Sequence, residues 1–100
     1  EIALSYNSGK FTINYLGRKL EKIECCNEFI KLNPGDSNAY INKGDALKDL
    51  ERYLEAIECY DEAIKIDPRN FDAYRNKGIS LNALKRYTEA IDCYNECINI

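Results

Sequence analysis

The side chains with most chemistry to offer are five cysteines, Cys25, Cys26, Cys59, Cys93 and Cys97, in a chain with no histidine. A thiolate can hold zinc, enter a disulfide or attack an electrophile, and each use imposes a spacing or a neighbour. The number is odd, no C-x-x-C occurs, and no imidazole is present to complete a metal site. Cys93 and Cys97 stand four apart on a helical pattern, a spacing that a metal or redox pair could use. The alternative is that cysteine serves as a small apolar residue packed between helices, and the missing histidine favours it. Disulfides and metal or other cofactors are therefore not expected.

Other candidate chemistry is equally thin. Asp61 and Glu62 are adjacent acids, and Lys65 follows Asp61 at the i, i+4 spacing of a helix-supporting ion pair, not of an acid–base couple. No glycine-rich phosphate loop or nucleophile with a base at a recognisable spacing is present, so the chain is not expected to be an enzyme. The net charge of −3 and the lack of a basic run argue against nucleic acid. No stretch approaches the roughly 18 apolar residues that cross a bilayer, and no signal peptide opens the chain, so a cytoplasmic protein is expected.

Three of the cysteines, Cys25, Cys59 and Cys93, lie 34 residues apart, and the whole chain shares that period. Residues 37–66 and 71–100 are identical at 17 of 30 positions, among them Ala39/Ala73, Tyr40/Tyr74, Gly44/Gly78, Tyr53/Tyr87, Ala56/Ala90 and Tyr60/Tyr94. The same offset relates 16–34 to 50–68 through Leu16/Leu50, Arg18/Arg52, Ile23/Ile57, Cys25/Cys59 and Pro34/Pro68. Asn7-Ser8-Gly9 aligns with Asn42-Lys43-Gly44 if one residue is inserted before Leu16, which leaves the first half of the first copy degenerate. The chain thus divides into repeats of about 1–36, 37–70 and 71–100 within one domain. A fixed period in this range marks a stack of supersecondary units.

Within each copy the period becomes helical. Tyr53, Ala56, Ile57, Tyr60, Ala63 and Ile64 form one apolar stripe, repeated by Tyr87, Ala90, Ile91, Tyr94, Cys97 and Ile98. A second stripe runs through Ala39, Tyr40, Lys43 by its aliphatic stem, Leu47 and Leu50. Pro34 and Pro68 stop helices, and Asp36 or Ser37 and Asn70 are suited to start them. Two helices per copy follow, with Gly44 and Ala56 letting them approach closely and six of the eight tyrosines at core places.

An aromatic, glycine, leucine, tyrosine, alanine, aromatic, alanine and proline at this spacing resembles the tetratricopeptide repeat. The residues are Tyr40, Gly44, Leu47, Tyr53, Ala56, Tyr60, Ala63 and Pro68. The last copy supplies Tyr74, Gly78, Leu81, Tyr87, Ala90 and Tyr94, with Cys97 where alanine is usual. The first keeps Pro34 but has Lys22 and Phe29 where the alanines belong. The resemblance implies an all-α fold of helical hairpins stacked in a right-handed superhelix, about three repeats with the first degenerate. It further implies a concave groove, lined by the first helices, that binds a peptide or partner protein.

By that family pattern the groove positions are Asn38, Ile41, Asn42, Asp45, Lys48 and Asp49, then Asp72, Arg75, Asn76, Ile79, Asn82 and Ala83. Asn42 and Asn76 recur at one place, with Asn7 a third candidate. An asparagine amide both donates to and accepts from an extended peptide backbone, so stacked asparagines suit sequence-tolerant binding. They also suit a surface that merely needs to be soluble. Chaperone-binding members of the family grip a C-terminal carboxylate with lysine, arginine and asparagine. Here Ile41, Asp45 and Asp72 stand where such a clamp needs other groups, which argues against it. Two other roles stay open. An uncapped end around Tyr94, Cys97, Ile98 and Ile100 could join copies into a homo-oligomer, and the array could be the docking arm of a larger enzyme, of which this chain would be a piece.

Overall fold

The structure, a computed structural model, describes the backbone of residues 2–99 and the side chains of residues 17–99. The side chain of Asn7 and residue Ile100 lie outside the described residues. Five helices make up the fold: α1 Ile2–Leu32, α2 Ser37–Asp49, α3 Tyr53–Ile66, α4 Phe71–Ala83 and α5 Tyr87–Asn99.

The breaks have local causes. α1 and α3 end two residues before Pro34 and Pro68, which carry no N–H to continue the helical bonding. Asp36 caps α2, its Oδ1 accepting from the N–H groups of Asn38 at 3.0 Å and Ala39 at 3.3 Å. Asn70 occupies the cap position of α4, yet its side chain does not cap. Its Nδ2 donates instead to Ser37 Oγ at 3.0 Å and Asn38 Oδ1 at 3.1 Å, while Ser37 Oγ donates to the Ala63 carbonyl at 2.9 Å. Asn70 therefore ties one repeat's loop to the next.

Inside each complete hairpin the chain reverses at a single left-handed residue, Glu51 with φ 61° and Lys85 with φ 62°. The following N–H groups of Arg52 and Arg86 reach back to the carbonyls of Leu47 and Leu81, both at 2.9 Å, and close the helix end. Gly17 is the first copy's equivalent of Glu51, and here the structure departs from the hairpin that the repeat predicts. α1 runs helical through Gly17, so residues 2–36 supply one long helix and a loop. A glycine inside a helix costs only about 1 kcal/mol relative to alanine, too little to force a break.

α2 packs on α3 and α4 on α5 as antiparallel pairs, α3 packs on α4, and α1 packs on α2. Gly44 and Gly78 sit directly under the rings of Tyr60 and Tyr94. Tyr60, Ala56, Ala63, Ala46, Ala73 and Leu81 are fully enclosed, and Ile23 of α1 packs against the same core. α4 lies against both α2 and α3, and α2 and α4 are neighbours on one face of the stack, the inner face.

Several expectations need adjustment. Tyr87 is exposed although its equivalent Tyr53 is half-buried, because no described helix covers α5 as the next hairpin covers α3. Lys65 pairs with Glu62 at 3.1 Å, not with Asp61, which takes Lys77 of α4 at 2.6 Å. Cys59 and Cys93 are buried, Cys26 and Cys97 half-buried, and Cys25 exposed.

Candidate functional site

The positions expected to line a groove lie on α2 and α4, and the structure separates them by what each already holds. Three cross-links run through the face. Lys19 of α1 pairs with Asp49 at 2.8 Å, Tyr60 of α3 donates its hydroxyl to Asp45 at 2.6 Å, and Lys48 donates to Asn76 Oδ1 at 3.2 Å. Lys48 also lies 4.0 Å from Asp45. Asp45, Lys48, Asp49 and Asn76 thus hold the helices in register.

Burial deepens that distinction. Ile41 is 6% exposed and belongs to the core, and Asn76 is 8% exposed. Asn38 is committed to Asn70 across the loops. Asp72 pairs with Arg75 at 2.8 Å, and the Arg75 guanidinium carbon lies 5.9 Å from the centroid of Phe71. Asn42, Ile79, Asn82 and Ala83 are exposed, and no described side chain bonds to the amides of Asn42 or Asn82. Two amides and one large apolar side chain are thus left exposed on α2 and α4.

Asn42 and Asn76 are repeat equivalents with different circumstances. Lys48, which holds Asn76, belongs to the copy before it, and the place 34 residues earlier is Asn14. The partner of Asn76 belongs to a neighbouring copy, and no single column of the repeat predicts it.

The buried thiols and phenol are not poised for chemistry. Burial pushes the Cys59 thiol up to about 11, and burial also raises Cys93 and Cys26. Tyr60 is raised by burial and by its hydrogen bond to Asp45. Protonated thiols are poor nucleophiles and poor ligands. Among the described residues no group of three cysteine or acidic side chains could hold a metal, and no helix is long and apolar enough to cross a membrane.

Profiles of the TPR repeat match residues 44–83, and profiles of the tetratricopeptide repeat match 25–58 and 71–100. A comparison with curated proteins finds no match. Among solved structures, the TPR domain of Arabidopsis OM64 is 27% identical over 87% of this chain and 73% of that one, with a TM-score of 0.79. The TPR2B domain of yeast Sti1, solved in a complex with pHsp70, is 29% identical over 90% of this chain and 70% of that one, at 0.77. MamA is 25% identical over 92% of this chain, at 0.80, and this chain spans 52% of its length.

Proposed function

The chain belongs to the tetratricopeptide repeat family, and from that premise we propose that it is a protein-interaction scaffold holding an extended segment of a partner protein against α2 and α4. The observation that carries this reading is the division of labour on the inner face. The cross-links use Asp45, Lys48, Asp49 and Asn76, and leave Asn42, Ile79 and Asn82 turned to solvent without a described polar partner. An exposed amide can bond both ways to a peptide backbone, and Ile79 offers a side chain of the partner an apolar contact. That the Sti1 domain was solved with pHsp70 supports a protein segment as the ligand class. The work is done by binding rather than by catalysis.

The test is titration of an extended-peptide library against the protein and its Asn42→Ala variant, with melting followed in parallel. Loss of both amide bonds should weaken binding by about tenfold, since each is worth about 1 kcal/mol or less. Stability should hold, because Asn42 is exposed and supports no described contact. Unchanged binding would remove Asn42 from the site.

A second reading is assembly through α5. Ile57 of α3 is 9% exposed because the next hairpin covers it, while its equivalent Ile91 is 57% exposed. With Tyr87 and Ile98 it forms an apolar face of the kind on which α3 receives a neighbouring hairpin.

A further inference from the structure

By the repeat register residues 18–32, the second half of α1, correspond to α3 and α5. α3 presses on its own first helix with Ala56, Cys59, Tyr60 and Ala63, all of them buried. The equivalents in α1 are Lys22, Cys25, Cys26 and Phe29. Only Cys26 among these is half-covered, and Phe29 is 46% exposed. The side that α3 gives to α2 is therefore bare in α1. An open cavity of about 330 Å³ marks the place, lined by Lys22, Cys25 and Phe29 on one side and Asn38, Ala39 and Asn42 on the other. A first helix of this hairpin would lie there, beside α2, as α2 lies beside α4.

Gly17 bears on what fills it. Its equivalents Glu51 and Lys85 turn the chain through left-handed backbone, but Gly17 is helical, and a Cβ on it would meet nothing within 4 Å. Neither a turn nor packing within one chain uses this glycine. It is the midpoint of α1, with 15 residues of helix on either side. Residues 2–16 thus match the 13 or 14 residues of a hairpin helix, yet they lie in line with 18–32 and cannot cover them.

We propose that α1 is an exchange element, and that two copies of this chain pair through antiparallel α1 helices crossing at Gly17. Residues 2–16 of each copy then occupy the bare side of residues 18–32 in the other, and two degenerate first repeats become two complete hairpins. A second copy fits better than the chain's own N-terminal half. Folding back requires breaking α1 and its backbone hydrogen bonds around Gly17, whereas exchange uses the helix as it stands. Antiparallel pairing is also the arrangement of α2 with α3 and of α4 with α5. The inserted helix lies against Asn38 and Asn42, so pairing lengthens the inner face by one helix per copy. The inference does not rest on the inner-face reading, but the inserted helix covers Asn42 as α2 covers Asn76, so in the exchanged dimer that amide is not open to a peptide.

The experiment is light scattering over a concentration series on the protein, on Phe29→Glu and on Ile91→Lys, with a cross-linking variant beside them. Exchange predicts twice the monomer mass for the protein and for Ile91→Lys. It predicts the monomer mass for Phe29→Glu with unchanged helical circular dichroism, since Phe29 supports no described core. Gly9 aligns with Gly44, which meets Tyr60, and Cys26 stands in the place of Tyr60. Gly9→Cys in a Cys25→Ser, Cys97→Ser background should therefore be joined to Cys26 by a short bis-maleimide, giving a covalent dimer on a denaturing gel. A product of monomer mass with an internal link would overturn the exchange in favour of folding back. A monomeric protein with no link would overturn it as well, as would a dimer that Ile91→Lys alone dissolves.

Discussion

Ser80 shows at the scale of one residue how a repeat tolerates an imperfect copy. It stands where the preceding copy has Ala46, both are fully buried, and its hydroxyl has no hydrogen-bond partner among the described residues. A buried polar group without a partner costs roughly 1–3 kcal/mol. Ser80→Ala should therefore raise stability by about 1 kcal/mol, seen as a higher melting temperature in calorimetry. A lower one would mean that the hydroxyl is bonded in solution. Single residues were legible in the sequence wherever one copy predicts another, as with the small residues Gly44, Gly78, Ala56 and Ala90 at the helix crossings. They were not legible where a contact joins unlike copies. Lys48 and Asn76 meet only because one hairpin stacks on the next, and alignment of the copies hides such a pair.

At the scale of helices, each hairpin depends on a ring laid over a glycine. A Cβ on Gly44 would come within 2.6 Å of Tyr60 Cε1, and one on Gly78 within 2.6 Å of Tyr94 Cε1. The surroundings of the two rings differ. Tyr60 is fully enclosed and donates to Asp45, while Tyr94 is only half-buried and Asp45 is replaced by Ile79. Gly44→Ala should accordingly cost about 1–3 kcal/mol, and Gly78→Ala less, because Tyr94 has room to move. Urea denaturation of the two variants gives the comparison, and equal losses would show that the Tyr60 ring yields as readily as Tyr94. Helix existence was legible from the two apolar stripes, and helix ends from Pro34 and Pro68. The straight course of α1 was not. A left-handed glycine and a helical one differ by an energy comparable to a single propensity term, and the degenerate pattern of the first copy offers nothing stronger to choose between them.

For the whole molecule the open features lie at the two ends, with the cross-linked face between them. If the face of α5 associates, Ile91→Lys should lower the apparent mass of large assemblies at high concentration. Analytical ultracentrifugation would read this, and the variant should stay folded because Ile91 is already exposed. An unchanged distribution would locate assembly elsewhere. The groove positions expected from the family pattern formed a single list, which did not separate residues that tie helices together from residues left over. That separation depends on side chains from three helices meeting, as Lys19, Tyr60 and Asn76 do around α2.

The contact between repeats also has a mechanical meaning. α4 is seated against two helices at once, tied to α2 by the Lys48–Asn76 bond and to α3 by the Lys77–Asp61 pair. Such a joint behaves like a tongue in a slot: sliding or tilting one hairpin past the next must break the Lys48–Asn76, Lys77–Asp61 and Asn70–Ser37 contacts together. The stack is therefore stiff in the direction that would scramble the order of the residues it presents.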